Sequence, residues 1–230
     1  MAGVAGDGIG SLVRLAWITR GLLVAQIVLD VLLVGAGGAI LYFFVTRPAG
    51  GFYAMAGSPI IAPLTLISGL LGVLFILTSL VLAITFMLWV YRAWRNLYDV
   101  GVADLGFSPG WAVGSFFVPF LNLVLPFRSM RELTNRSAGE DVWQAMQTAP
   151  DVSAWWSFLI GGAILRSIVM VVQFVGRIPY VCVTTPLSAT IGNSLFATCL
   201  MAASSFYLRR AIGEITGNQR AMRHASGAFD

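Results

Sequence analysis

The chain has 230 residues, of which 58% are hydrophobic and only 10% are charged, and its mean hydropathy is +0.84. Soluble domains carry about 25% charged residues, so this composition excludes an ordinary soluble domain and predicts an integral membrane protein. All 14 basic residues are Arg, and they are scattered at loop ends rather than clustered on one element. The pI near 9.5 therefore does not indicate a nucleic-acid partner.

Four uninterrupted apolar runs predict four transmembrane helices. At about 1.5 Å per residue, each run is long enough to cross a hydrocarbon layer of about 30 Å. The first run is too long for a cleaved signal peptide and is interpreted as a retained anchor. The predicted spans are residues 21–45, 63–91, 155–175 and 187–208, and a short turn at residues 176–179 makes the last two a tight hairpin. Residues 1–10 and 217–230 are predicted to be mobile tails.

A fifth apolar stretch lies in segment 108–127 and is broken by two prolines. Ser108 followed by Pro109 predicts the start of a short helix that ends before Pro119. If the segment returns to the side it came from, eleven Arg are cytoplasmic and two are outside; if it crosses, five are cytoplasmic and eight are outside. The positive-inside rule favours the first arrangement. We therefore predict a re-entrant or interfacial segment, a cytoplasmic middle region at residues 92–154, and two cytoplasmic termini.

The predicted fold class is an all-α membrane protein, with four transmembrane helices and a proline-broken re-entrant or interfacial segment. Residues 1–230 are predicted to form a single integral membrane domain, because no soluble domain interrupts the spans. A repeat with a fixed period is not visible in the sequence.

Two stretches of the central region resemble the signature of a bacterial family, the one called domain of unknown function 4328. They are WVYRAWRN at residues 89–96 and SPGWAVGSFFVPFLNLVLPFRSMRELTNRS at residues 108–137. The resemblance is specific in the central third of the chain and rests on hydropathy alone in the flanking spans. It implies a multi-pass protein of the bacterial cytoplasmic membrane, and it implies no activity because the family has none assigned.

Six polar side chains in and around these stretches form a candidate site for an anionic ligand such as a lipid phosphate. They are Arg92, Arg95, Asn96, Asn122, Arg128 and Arg131. The break at Pro119 leaves backbone groups unpaired at membrane depth, and Asn122 is placed to cover them. A structural interpretation, in which the Arg set topology and Asn122 shapes a turn, is favoured over ligand binding.

Asp30 and Arg166 are the only charged residues embedded within the predicted spans. They lie at matched depths, about 15 and 17 Å from the cytoplasmic side. Each alone would cost roughly 2.5–3.5 kcal/mol at the membrane centre, so the pattern predicts an intramembrane ion pair between the first and third spans. A structural role that fixes helix register is favoured over a proton or ion relay.

The sequence gives little support for an enzymatic function. His224 is the only histidine and lies in the tail, which removes His-based metal sites and Ser-His triads. We predict no enzyme, metal or cofactor and no nucleic-acid partner. The predicted function is a structural or regulatory membrane component that binds a partner protein or anionic lipid, and the alternative is a small transporter or channel subunit. The expected partners are membrane lipids, another membrane protein or further copies of the chain.

Overall fold

The computed structural model describes residues 2–46, 59–176 and 186–226, and the regular structure in these ranges is helical throughout. Short 3-10 turns occupy Leu121–Leu123 and Val142–Gln144. The prediction of an all-α protein is confirmed. The turn predicted at residues 176–179 lies almost entirely outside the described residues, as do Arg47 and Arg177. The α-helices of the described ranges are α1 (Ala2–Thr46), α2 (Ile61–Asp99), α3 (Pro109–Gly114), α4 (Leu125–Ser137), α5 (Pro150–Val175) and α6 (Leu187–Ser226).

Among the described residues, four helices are long and apolar enough to cross a membrane, as the sequence predicts. The candidate spans are Gly8–Phe43, Ile61–Asp99, Pro150–Val175 and Ser188–Arg223. Helix α2 has 39 residues and measures about 58 Å, roughly twice the thickness of a hydrocarbon layer. Helices α1 and α6 are of similar length and include most of the residues predicted as tails. These three helices therefore extend well beyond the apolar runs that predict them.

The hydroxyl side chains of α2 show how polar residues are accommodated in an apolar helix. Ser68 donates to the carbonyl oxygen of Leu64 at 2.8 Å, and Ser79 donates to that of Phe75 at 2.7 Å. Such bonds to the preceding turn satisfy the hydroxyl without a partner helix. The outward faces carry large exposed apolar side chains such as Leu70, which is 64% exposed. Helix α2 is therefore suited to a lipid environment.

The chain forms two compact units. Unit 1 consists of Met1–Val24, Leu80–Trp156 and Ser205–Asp230, and unit 2 consists of Ala25–Ser79 and Ser157–Ser204. Each of the four long helices has one end in each unit, whereas everything between α2 and α5 belongs to unit 1. Segment 108–127 thus begins and ends in the same unit. Unit 1 also contains the eleven Arg that the charge count assigns to one side: residues 14, 20, 92, 95, 128, 131, 136, 209, 210, 220 and 223.

Segment 108–127 folds as a short helix followed by an exposed apolar turn. The Ser108 hydroxyl accepts a hydrogen bond from the backbone N–H of Trp111 at 3.2 Å, and α3 ends at Gly114, as the sequence predicts. Phe120 has a φ of 64° and its side chain is 86% exposed. Because a left-handed backbone is costly for an aromatic residue, surrounding structure must hold this turn in place.

Candidate functional site

The core of unit 1 includes side chains from the two sequence stretches at residues 89–96 and 108–137. Trp89 and Trp94 are both fully buried. The indole N–H of Trp94 donates to the Ser129 hydroxyl at 3.1 Å, and that of Trp89 donates to the Thr216 hydroxyl at 3.2 Å. A buried Trp needs such a partner for its single donor. The two indoles therefore tie α2 to α4 and to α6.

Gln219 of α6 is buried in this core and is only 3% exposed. Its side-chain oxygen accepts a hydrogen bond from the Asn96 amide at 3.4 Å. Its side-chain nitrogen donates to the Ser137 hydroxyl at 2.9 Å and to the carbonyl oxygen of Ala93 at 3.1 Å. One side chain thus connects three helices, although the sequence predicts a mobile tail at this position. The signal in the sequence is weak, because a Gln in a polar helix end is usually solvated.

The loops around α4 are held by its polar side chains. The Asn135 amide group donates to the carbonyl oxygens of Gln144, Ala145 and Gln147 at 3.2, 3.0 and 2.9 Å. Arg136 donates to the carbonyl oxygen of Ala103 at 2.6 Å. These contacts replace regular secondary structure in stretches that have little of it.

Glu132 is a buried carboxylate of unit 1, with 3% of its surface exposed. Its Oε1 accepts from the backbone N–H of Gly106 at 2.7 Å, whereas its Oε2 has no partner among the described residues. Burial raises the pKa of Glu132, and the Gly106 hydrogen bond and the Arg136 charge only partly oppose this rise. A Cβ atom on Gly106 would lie 2.8 Å from Oε2, so a larger residue there would force the Glu132 carboxylate to shift.

The structure divides the six residues predicted to hold an anion. Asn96 is buried in the Gln219 network. Arg92 donates from Nε to the carbonyl oxygen of Gly8 at 3.1 Å. Arg131 donates to the carbonyl oxygen of Met146 and lies 5.2 Å from the centroid of the Phe127 ring. These three side chains are therefore committed to contacts inside unit 1.

The remaining three members of the predicted set are more accessible. Arg95 forms an ion pair with Asp99 at 3.1 Å, and both side chains are about half exposed. Arg128 is exposed and its side chain has no partner among the described residues. Asn122 is half-buried, and its backbone N–H donates to the carbonyl oxygen of Val118 at 2.9 Å. The prediction that Asn122 covers unpaired backbone groups with its side chain stays a prediction.

An apolar groove lies between α2 and segment 108–127 within unit 1. Its volume is about 510 Å³, a size typical of ligand pockets. Two aromatic residues of its lining are exposed: Phe117 at 72% and Tyr91 at 44%. The groove is lined by Leu80, Ala83, Ile84, Met87, Leu88, Tyr91, Val113 and Phe117.

Comparison with known families identifies the chain. The family model described as domain of unknown function (DUF4328) matches residues 62–216, which is more than half of the sequence. The chain belongs to this family. No curated protein and no solved structure matches it. The matched region includes Trp89 and Trp94, the residues of α2 and α4 that contact Gln219, and the apolar groove. It does not include α1.

Helix α1 carries a second candidate site, outside the DUF4328 match. Asp30 is 1% exposed and Gln26, one turn earlier, is 4% exposed. Both Asp30 oxygens and the Gln26 Oε1 atom lack a hydrogen-bond partner in the described ranges. Asp30 is a site residue predicted from the sequence, whereas Gln26 is not predicted, although it is a rare polar residue in the first apolar run.

The structure does not bring Asp30 and Arg166 into a direct ion pair within the described residues. Arg166 is exposed, and its guanidinium carbon lies 5.9 Å from the centroid of the Phe75 ring. Asp30 and Arg166 nevertheless interact electrostatically at longer range. Groups of three or more His, Cys, Asp or Glu residues that would suit a metal ion do not occur among the described residues.

Proposed function

We propose that this DUF4328 protein is a structural membrane component that binds an anionic lipid. One acyl chain would lie in the groove on α2, and the headgroup would contact Arg95. The observation that supports this most directly is the continuous stripe on α2, which changes from apolar to aromatic to cationic along one face. We propose no catalytic step for it.

The groove has the chemistry that an acyl chain requires. Its lining is aliphatic and aromatic, with Tyr91 as the residue that bears a hydroxyl. A groove of this kind at membrane depth is filled by a hydrocarbon chain, because water gains nothing from apolar walls. Exposed Phe117 and Phe120 extend the same apolar surface along the turn of segment 108–127.

Arg95 stands on the groove face of α2. It follows Tyr91 by four residues, and Tyr91 follows Met87 by four, so these side chains share one side of the helix. A Tyr between an apolar stripe and an Arg is typical of the boundary between hydrocarbon and headgroups. This position supports Arg95 as the contact for the phosphate of a lipid whose acyl chain occupies the groove.

The Arg95–Asp99 ion pair does not prevent phosphate binding. Exposed ion pairs of this kind contribute about 0–1 kcal/mol, and only the Nε atom of Arg95 contacts Asp99 in the pair. The two terminal nitrogens of the guanidinium retain four N–H donors, enough for a two-point contact with phosphate. Replacing Asp99 by Asn should strengthen lipid binding, because it removes a competing carboxylate.

The proposal is tested with the full chain in nanodiscs that contain equal amounts of phosphatidylglycerol and phosphatidylcholine. Native mass spectrometry counts the lipids that remain bound to the protein after it is gently released from the nanodiscs. Arg95→Gln should lower the preference for phosphatidylglycerol about fivefold, since one Arg near an anionic surface contributes about 1 kcal/mol. Ala83→Phe, which fills the groove, should lower retention of both lipids.

Arg220→Gln is the matched control, because Arg220 is an exposed Arg of unit 1 that does not line the groove. It should leave both the number and the class of bound lipids unchanged. Equal phosphatidylglycerol retention in the Arg95 and Arg220 variants would refute the headgroup assignment. Undiminished retention in Ala83→Phe would refute the acyl-chain assignment.

We further propose that the Arg-rich ends of the helices face the cytoplasm of a bacterial cell. Eleven Arg belong to unit 1, and the positive-inside rule places such an excess on the cytoplasmic side. Membrane-impermeant maleimide labelling of Ala138→Cys, at an exposed loop position of unit 1, tests this in a variant whose two native Cys are replaced by Ser. Labelling should require cell permeabilisation, and equal labelling of intact cells would contradict the orientation.

A further inference from the structure

Two buried polar side chains of α1, both in unit 2, have no assigned role. Gln26 and Asp30 are each more than nine-tenths buried. Because they are four residues apart, their Cβ atoms lie about 5–6 Å from each other on one face of the helix. Three oxygen atoms, Gln26 Oε1 and Asp30 Oδ1 and Oδ2, are unpartnered among the described residues. The cluster therefore offers three acceptors and no bound donor.

Such a cluster is costly unless something occupies it. Burying a polar group without a hydrogen bond costs about 1–3 kcal/mol in proteins, and an uncompensated carboxylate costs more. In the described part of unit 2, Asp30 and Arg166 are the only charged side chains. Arg166 acts on Asp30 only at longer range, with its guanidinium over the Phe75 ring. The Asp30 charge thus lacks a partner in contact.

We propose that Gln26 and Asp30 form a binding site for one small monovalent cation, either a proton or Na⁺. Either ion would supply the hydrogen-bond donor or the positive charge that the three acceptor oxygens lack. A proton on Asp30 creates an O–H that the Gln26 oxygen can accept, and Na⁺ is coordinated by the same carboxylate and amide oxygens. A divalent ion is disfavoured, because the site has one carboxylate and Arg166 stands nearby.

The effect of replacing Arg166 distinguishes a cation site from a direct ion pair. In a cation site, the positive charge of Arg166 repels the bound cation, so Arg166→Gln should tighten cation binding about three- to tenfold. In a direct Asp30–Arg166 ion pair, the same substitution would leave a buried carboxylate alone and destabilise the protein. The two arrangements therefore predict opposite effects from one variant.

The experiment uses the full chain in nanodiscs and has one arm for each ion. For the proton, infrared spectroscopy at neutral pH should show the C=O band of a protonated carboxylic acid, which is absent from Asp30→Asn and persists to higher pH in Arg166→Gln. For Na⁺, the unfolding temperature of the wild-type chain should rise when Na⁺ replaces N-methylglucamine at constant ionic strength. Asp30→Asn should lose this rise, and Gln26→Leu should weaken it severalfold.

Each outcome has a fixed meaning. The infrared band without Na⁺ dependence identifies a proton site, and Na⁺ dependence identifies a sodium site. Absence of both effects in a folded wild-type chain overturns the proposal. It is also overturned if Arg166→Gln destabilises the protein and the charge swap Asp30→Arg with Arg166→Asp restores it. Gln26→Leu keeps the test informative if Asp30→Asn folds poorly. Because the ion and lipid assays probe different units, failure of one leaves the other intact.

Discussion

Substituting Gln219 by Leu would remove three hydrogen bonds from the core of unit 1 at once. The lost bonds leave the Asn96 amide and the Ser137 hydroxyl without their partner, and these side chains are 4% and 0% exposed. An orphaned buried polar group costs about 1–3 kcal/mol, whereas the Leu side chain recovers part of this through apolar burial. The expected net loss is about 2–4 kcal/mol of unfolding free energy.

Thermal unfolding in detergent micelles, followed by circular dichroism, measures this loss. For chains of this length about 1 kcal/mol corresponds to 2–4 °C, so Gln219→Leu should lower Tm by about 5–15 °C. The neighbouring Asn218, which is half-buried, provides the control Asn218→Leu, with an expected change within about 2 °C. If the two variants unfold at the same temperature, the Gln219 contacts do not stabilise the core and the reasoning is refuted.

Two further predictions concern α4 and the α5–α6 contact. Because burial raises the pKa of Glu132 above its ordinary 4.5, stability should be highest below that value and fall as the pH rises through the raised pKa. Glu132→Gln should flatten this dependence in melts from about pH 4 to pH 8, whereas exposed Glu214→Gln should retain it. Gly162→Leu should lower Tm by about 5 °C or more, since a Cβ there already meets the Ala197 carbonyl oxygen at 3.3 Å. Gly72→Leu, in open space, should have little effect.

These two predictions fail in different ways. A Glu132→Gln variant with the same pH slope as the wild-type chain would show that another group controls the slope. A Gly162→Leu variant as stable as Gly72→Leu would show that α5 and α6 can separate at this point without cost. The melts that decide both outcomes are the same type of measurement used for Gln219.

The helices are predictable from the sequence because lipid imposes a strong rule. An apolar run of sufficient length must form a helix in the membrane, since its backbone groups have no other partner. The ends of α1, α2 and α6 follow no such rule. Their polar residues resemble solvated tails, and only the tertiary structure shows that Gln219 and Asn96 bury one another. Local sequence therefore predicts where each helix crosses but not how far it continues.

The sequence predicts which residues belong to the candidate sites, but it does not predict which groups they contact. The sequence indicates that Arg92 and Arg131 are important, but their partners are the carbonyl oxygens of Gly8 and Met146, which no residue type encodes. Asp30 stands out as a charge in an apolar run. Its neighbour Gln26 does not, because a neutral amide gives a weaker signal. The groove depends on the approach of segment 108–127 to α2, which hydropathy does not specify.

The three carbonyl oxygens that converge on the Asn135 amide make this loop depend on a single side chain. An amide nitrogen has two hydrogens, so three acceptors must share them. Spontaneous deamidation would convert Asn135 to Asp, which has acceptors where the donors had been. Four oxygen-bearing groups would then face one another without a hydrogen among them. Deamidation of this one side chain would thus remove the hydrogen bonds that hold the loop, whereas the long helices would keep their backbone hydrogen bonds.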